Sequence, residues 1–166
     1  MTLIRLAWGP VSGEPRRAVA DALLRELAAG AGISRVCTRC GGDHGAPLID
    51  GGRVRGSASY VRDGRGHVIA AVVAVAPRQG ISGFGIDAQA GEPEDPTGVD
   101  GVPTLRDWVR IEAAAKADGR LLRAGAARAT TRGEGWVAAL DGGQPIHGRD
   151  LEGPPGVVVS AAWCPT

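Results

Sequence analysis

The segment TLRDWVRIEAAAKADG, residues 104–119, carries the clearest helix pattern in the chain. Thr104 can cap the first turn, and Asp107 three residues later completes a capping pattern. Alanines at positions 113–115 favour the helix, and Gly119 is typical of a helix terminator. One helix is therefore expected over this range.

A strand and a second helix are predicted near the N-terminus. TLIRLAW, residues 2–8, has the β-branched, alternating character of a strand. The segment at 12–32 predicts a helix with Ser12 as cap, Pro15 in the first turn and Gly30 as the stop. Its apolar stripe consists of Val19, Leu23, Leu24 and Leu27.

Short strands separated by glycine-rich turns are expected around residues 54–61, 68–76 and 84–88, and again at 135–140 and 156–163. The cysteine-containing segment before them is expected to be a loop.

Residues 89–103, QAGEPEDPTGVDGVP, show no hydrophobic periodicity and are predicted to be a linker. Strands and one helix recur on each side of it. The expected fold is therefore α+β, with two similar small α/β lobes (a pseudodimer), each a short antiparallel sheet packed on a helix. The predicted lobes are residues 1–95 and 96–166, with the active site between them.

Composition excludes several classes of function. The chain is 43% hydrophobic and 22% charged, as in globular proteins, and its net charge of +1 provides no basic stripe for nucleic acid. Its longest apolar run, at 67–76, is shorter than the ~20 residues of a membrane helix. No signal peptide is apparent, and three cysteines cannot all pair with one another. A monomer in the reducing cytoplasm is expected.

Lys116 is the only lysine in the chain, against eighteen arginines, and it follows Glu112 by four residues. Positions four apart share a helix face, so one interpretation is a surface ion pair worth about 0.3–0.5 kcal/mol. Arginine would serve that pair equally well. Lysine therefore also indicates a site that uses a compact ammonium group, or one able to lose its proton.

GISGFGIDAQ, residues 80–89, places an acid and an amide near the end of a predicted strand. Asp87 and Gln89 are two residues apart and should point to the same side. Together with Glu112 they would offer oxygen ligands to a hard cation such as Mg²⁺. The alternative is that Asp87 is an ordinary strand-end acid. The glycines predict a tight turn before the strand.

Four segments occur in the order and approximate spacing of a known set of motifs: CTRCGGDHGAP at 37–47, SASY at 57–60, GIDAQ at 85–89 and WVRIEAAAK at 108–116. Over residues 16 to about 122 the chain resembles the 4′-phosphopantetheinyl transferase superfamily, in its longer, pseudodimeric form. The family pattern is a Gly-Lys-Pro turn, a Ser-His motif, a Gly-Ile-Asp-x-Glu strand end and a Trp-x-x-Lys-Glu-Ala-x-x-Lys helix.

The resemblance implies transfer of 4′-phosphopantetheine from coenzyme A to a serine of an acyl or peptidyl carrier protein, with release of adenosine 3′,5′-bisphosphate. It implies that Asp87 and Glu112 bind Mg²⁺, with Gln89 where the family often has a second ligand acid. Glu112 would be the base, and Lys116 would stabilise charge on the transferring phosphate. Six residues match coenzyme A-binding positions or the entrance to that site: Arg16, His44, Ala46, Pro47, Ser59 and Tyr60.

The chain departs from the family pattern at three of these positions. Ala46 replaces a lysine and Tyr60 replaces a histidine, which removes two groups that contact phosphate. Gln89 is neutral where an acid is usual. These departures support a second hypothesis, a catalytically weak or inactive descendant that binds coenzyme A or a carrier protein.

Cys37 and Cys40 form a Cys-x-x-Cys pair close to His44, which is half of a typical zinc site. Other candidate ligands, Cys164 among them, are scattered singly. The pair resembles cysteines before the turn in some members of the transferase family, so loop packing is expected, with zinc and a redox dithiol as alternatives.

The transferase hypothesis predicts contact with an acidic carrier-protein helix through exposed arginines: Arg53, Arg55, Arg120 and Arg123. The alternative is that these arginines are ordinary solubilising residues.

Overall fold

Two five-stranded antiparallel sheets form the framework of the protein. The computed structural model describes residues 3–37, 40–119, 128–140 and 143–166. The first half contains β1 (Arg5–Pro10), α1 (Arg16–Leu27), β2 (Ile33–Val36), β3 (Asp43–Ile49), β4 (Val54–Arg62) and β5 (Val68–Pro77). The second contains β6 (Ile81–Ala90), β7 (Pro96–Val99), β8 (Val102–Thr104), α2 (Leu105–Asp118), β9 (Arg128–Arg132), β10 (Gly135–Ala139), β11 (Ile146–Leu151) and β12 (Val157–Pro165).

The two sheets have the same connectivity. The strand order is β1-β5-β4-β3-β2 in the first and β6-β12-β11-β10-β9 in the second. In each, one strand precedes the helix, four strands follow it as a meander, and the last strand pairs with the first. The predicted α+β fold, with two similar lobes of one antiparallel sheet and one helix, is confirmed.

By sheet membership, β6 belongs with the second half, because it pairs with β12 from Val157↔Ala90 through Trp163↔Phe84. The division predicted at residues 95 and 96 separates β6 from its own sheet. The stretch predicted as a linker is also partly ordered, since β7 and β8 pair as a small hairpin inserted between β6 and α2.

The helix α2 begins and ends where the sequence predicted. The Thr104 side chain accepts a hydrogen bond from the Asp107 backbone N–H at 3.2 Å, and Gly119 ends the helix with a left-handed φ of 78°. The prediction for α1 was wrong at its start. In the described structure no side chain caps this helix, whose N-cap is Pro15 rather than Ser12.

Three further segments differ from the predictions. The expected loop contains β2 and β3, and Gly45, Ala46 and Pro47 lie within β3 rather than in a turn. Sequence reasoning also missed β9 and β11, which are short and carry many polar residues. Pairing with β10 and β12, and not local propensity, holds them in the sheet.

Apolar side chains of both sheets meet in a common core. Val61, Val72 and Ala74 of the first sheet pack with Ile86 and Val159 of the second. The helices cover the opposite faces, α1 on the first sheet and α2 on the second. In the part of the chain that the structure describes, no helix is long and apolar enough to cross a membrane.

Candidate functional site between the two sheets

The helix α2 lies directly on the backbone of β6, and two glycines make that approach possible. A Cβ atom at Gly85 would lie 2.3 Å from the Ala113 carbonyl oxygen and 2.8 Å from Lys116 Cβ. One at Gly83 would lie 2.0 Å from the Ala117 carbonyl oxygen. Gly85 lies in the predicted strand, whereas Gly83 was predicted to belong to the turn before it; both lie within β6 and set the distance between strand and helix.

The close packing of α2 on β6 brings the Lys116 ammonium group into contact with the Asp87 carboxylate. The Lys116 ammonium group donates to Asp87 Oδ1 at 2.7 Å and to the Ile86 carbonyl oxygen at 3.0 Å. The Asp87 side chain is 4% exposed and that of Lys116 is 25% exposed. The ion pair expected between Lys116 and Glu112 is not found among the described residues, because the ammonium group turns toward β6.

Two serines of β4 connect the first sheet to the same point. Ser59 Oγ donates to Asp87 Oδ1 at 2.8 Å and accepts from the Ala88 N–H at 3.2 Å. Ser57 Oγ accepts from the Ile86 N–H at 3.0 Å. Ser59, which the resemblance assigned to coenzyme A, therefore positions Asp87 in this structure. Ser57 was missed, although its two-residue spacing from Ser59 could have indicated a shared face.

Glu112 lies half-buried on α2, next to this group. Burial raises the pKa of Glu112, the negative charge of Asp87 raises it further, and the Lys116 ammonium group offsets part of the rise. The described residues provide no hydrogen bond or ion pair for its carboxylate. The site therefore contains two neighbouring carboxylates, one neutralised by lysine and one that no residue in the described part of the chain pairs with.

Gln89 completes the predicted metal-ligand set. It points to the same side of β6 as Asp87, as predicted, and its Nε2 donates to Asp87 Oδ2 at 3.3 Å. Two neighbouring carboxylates that repel each other are a donor pair that suits Mg²⁺, whereas Gln89 presents its amide nitrogen, not its oxygen, to Asp87. Asp87 Oδ1 is already held by Lys116 and Ser59, so Asp87 has limited capacity for an ion.

Two of the residues predicted to bind coenzyme A contact each other. The Arg16 guanidinium at the start of α1 lies 5.0 Å from the centre of the Tyr60 ring on β4. Tyr60 packs with the residues under α1, whereas Ser59, its neighbour, contacts β6. The first sheet therefore separates the predicted Ser-Tyr motif onto two faces.

The remaining predicted coenzyme A residues lie on β3. Ala46 and His44 are exposed, and Pro47 is buried. The Ala46 side chain is a methyl group, so it offers no polar contact. His44 Nε2 lies 2.9 Å from Cys40 Sγ, and the ligand atoms of Cys37, Cys40 and His44 all lie within 4.8 Å of one another. These three side chains converge, which leaves both the expected loop packing and the zinc alternative open.

The arginines expected to contact a partner differ among themselves. Arg53 is exposed, with 84% of its side chain accessible. Arg55 is half-buried, which corrects the expectation that it is exposed, and its buried Nε has no hydrogen-bond partner among the described residues. Arg120 and Arg123 lie outside the described residues.

A polar network on the other side of α2, in which the buried Arg110 contacts the exposed Asp150 and Thr131, was not anticipated from sequence. Arg110 donates from Nε and Nη2 to Asp150 at 3.0 and 2.6 Å, and from Nη1 to Thr131 at 3.2 Å. Ser160 Oγ joins Asp150 to the Trp136 indole N–H. The network anchors α2 to its sheet and so fixes the face that carries Glu112 and Lys116.

Comparison with known proteins adds no assignment: no protein-family model matches this chain, and no curated protein matches it.

Proposed function

We propose that this protein transfers 4′-phosphopantetheine from coenzyme A to a serine of an acyl or peptidyl carrier protein. One observation carries the proposal. Asp87, Glu112 and Lys116 come from two different elements, β6 and α2, and meet in one cluster at the boundary between the two sheets. These residues are the ones that the motif resemblance assigned to the chemistry.

Glu112 has the properties of a general base. Its raised pKa makes the carboxylate more basic, and no described side chain occupies it. In the proposed reaction it removes the proton from the attacking serine hydroxyl, directly or through water. The serine oxygen bonds to the phosphorus that carries pantetheine, the bridging P–O bond breaks, and adenosine 3′,5′-bisphosphate leaves.

Asp87 and Glu112 would hold Mg²⁺, with Gln89 completing the oxygen ligands. The ion would neutralise negative charge on the pyrophosphate. Ser59 orients the Asp87 carboxylate through its hydrogen bond. Lys116 supplies a positive charge that can stabilise the phosphate oxygens, provided that its ammonium group moves from Asp87.

A specific observation favours the second candidate, a descendant that binds coenzyme A or a carrier protein without transfer. Both Asp87 oxygens are engaged, by Lys116 and Ser59 at one and Gln89 at the other. Because its oxygens already accept these hydrogen bonds, Asp87 would gain less free energy by binding a metal ion. Ala46 also lacks the cation that the family uses on phosphate.

The test is the intact mass of several apo carrier proteins after incubation with the purified protein, coenzyme A and Mg²⁺. Transfer adds one phosphopantetheine group, requires Mg²⁺, and is reduced by a factor of about 10² or more in Glu112→Gln. Glu134→Gln is the matched control, because Glu134 is exposed in the β9–β10 turn, and its activity should equal that of the parent.

Calorimetry with coenzyme A distinguishes the two candidates. Binding without any mass gain across the carriers supports the non-catalytic descendant. Both candidates are refuted if no transfer occurs and neither coenzyme A nor any of the apo carrier proteins binds in the same calorimetry.

A further inference from the structure

We propose that Cys37, Cys40 and His44 bind a zinc ion at an open site with three protein ligands. Of these three residues only His44 was also matched to the coenzyme A site, and the observations that carry this proposal are separate from those that carry the proposed transferase. The site lies where β2 joins β3, at the edge of the first sheet.

The positions of the three ligand atoms suit a tetrahedral ion. Cys37 Sγ, Cys40 Sγ and an imidazole nitrogen of His44 all lie within 4.8 Å of one another. Ideal bond lengths place two sulfurs about 3.8 Å apart, and a sulfur and a nitrogen about 3.5 Å apart, around zinc. The 2.9 Å contact between Cys40 Sγ and His44 Nε2 would lengthen by roughly 0.6 Å, a small side-chain adjustment.

The backbone is folded around the Cys40 sulfur. The Cys37 N–H donates to the Gly42 carbonyl oxygen and the Gly41 N–H donates to the Cys37 carbonyl oxygen, each at 2.8 Å. The Gly42 N–H points at Cys40 Sγ, 3.4 Å away. An N–H group directed at sulfur stabilises the negative charge of a thiolate, which is the form that binds metal.

Two glycines keep this arrangement open. Gly41 has a φ of 72°, which a side chain would disfavour. A Cβ atom on Gly42 would lie 3.1 Å from His44 Cδ2 and 3.3 Å from Cys40 Sγ. Without a side chain at residue 42, the histidine and the cysteine can approach the same point.

The ligand types favour zinc over a hard cation, since thiolate and imidazole are ligands that zinc prefers. No fourth histidine, cysteine or acid among the described residues belongs to the group. The neighbouring Asp43 is held by Arg17, whose Nη2 donates to its carboxylate at 2.7 Å. The fourth position is therefore left to water or an added ligand.

Zinc binding would have two consequences for the fold and the active site. It would close the end of the β2–β3 hairpin, and so stabilise an edge of the first sheet. It would also engage His44 Nε2, which could then not serve coenzyme A. The proposal excludes the alternative of a redox dithiol as the resting state of Cys37 and Cys40.

The first experiment measures zinc in the desalted protein by mass spectrometry after purification with added zinc. The parent should retain about one zinc ion per chain, and Cys40→Ser and His44→Ala should lose it. Cys164→Ser and His67→Ala are matched controls outside the cluster and should retain it. Cobalt in place of zinc should show thiolate-to-metal absorption that Cys40→Ser weakens.

The second experiment needs no variant, so it remains decisive if a substitution prevents folding. Zinc added to the reduced, metal-free parent should slow alkylation of Cys37 and Cys40 by roughly tenfold or more, as measured on the separated peptides, and leave Cys164 unaffected. Equal alkylation with and without zinc overturns the proposal. Zinc retention that is unchanged in both cluster variants overturns it as well.

Discussion

Replacing Gly85 by alanine should separate α2 from β6. The added Cβ atom would lie 2.3 Å from the Ala113 carbonyl oxygen, 2.6 Å from the Ala117 nitrogen and 2.8 Å from Lys116 Cβ. Two of these atoms are backbone, so no side-chain rotation relieves the clash. The helix must move instead, by about 1 Å, to reach an ordinary contact of 3.4 Å.

The cost of this movement follows from what α2 contacts. Overpacking of a well-packed core costs 1–3 kcal/mol, and a backbone clash belongs at the upper end, so the expected loss is about 3 kcal/mol. The same movement stretches the 2.7 Å bond between Lys116 and Asp87 beyond hydrogen-bond length. In a chain of this size the loss corresponds to a decrease in melting temperature of about 6–12 °C.

Urea unfolding followed by tryptophan fluorescence and by circular dichroism gives the measurement, and coincident curves justify a two-state analysis. Gly64→Ala is the matched control, because Gly64 lies in the β4–β5 turn with no atom within 4 Å of its ideal Cβ. A loss below about 1 kcal/mol, no larger than in the control, would refute the close approach of α2 to β6.

Three further outcomes are expected. Lys116→Met should destabilise the protein by about 2 kcal/mol in urea unfolding, because it leaves the buried Asp87 carboxylate without its cation; Asp87→Asn in the same chain should recover part of the loss. Since the Glu112 pKa is raised above its value of 4.5 in the unfolded chain, the folded state binds more protons between those two pKa values, and stability falls as pH rises through that window. Glu112→Gln should match the parent in melting temperature below pH 4.5 and exceed it at pH 7; equal values at both pH values would contradict the assignment. Arg110→Met should cost about 1 kcal/mol in the same unfolding assay, because it removes the hydrogen bonds of Arg110 while water can still solvate the exposed Asp150 carboxylate, and a loss near zero would show that the network does not anchor α2.

The fold was accessible from sequence wherever local signals and tertiary structure agree. Thr104 and Gly119 were correctly predicted as the two ends of α2, because neighbouring residues decide how a helix is capped. The meander strands β9 and β11 were missed because partners elsewhere in the chain stabilise them. The role of Gly85 was also hidden, since the sequence predicts a strand at this glycine but does not show that a helix packs against it.

The geometry of the candidate site was likewise predictable from sequence only in part. The spacing of Asp87 and Gln89 on a strand predicted that they share a side, and the structure agrees. The helical spacing of Glu112 and Lys116 suggested an ion pair with each other, which was wrong. Local periodicity reports the face of an element, but not the charge that another element brings to that face. Here the decisive partner, Asp87, comes from β6.

The contacts of Lys116 also give a physical reason for a lysine at this position. Its ammonium group meets Asp87 Oδ1, the Ile86 carbonyl oxygen and Ser59 Oγ at 2.7, 3.0 and 3.5 Å, three acceptors that surround one nitrogen. A planar guanidinium spreads its donors in a fork, whereas these three acceptors converge on a single nitrogen. These contacts therefore favour lysine, and the proposed transfer reaction adds a second reason for it. The same ammonium group must then leave Asp87 when phosphate arrives, which a flexible stem with a single charged nitrogen can do without disturbing the helix.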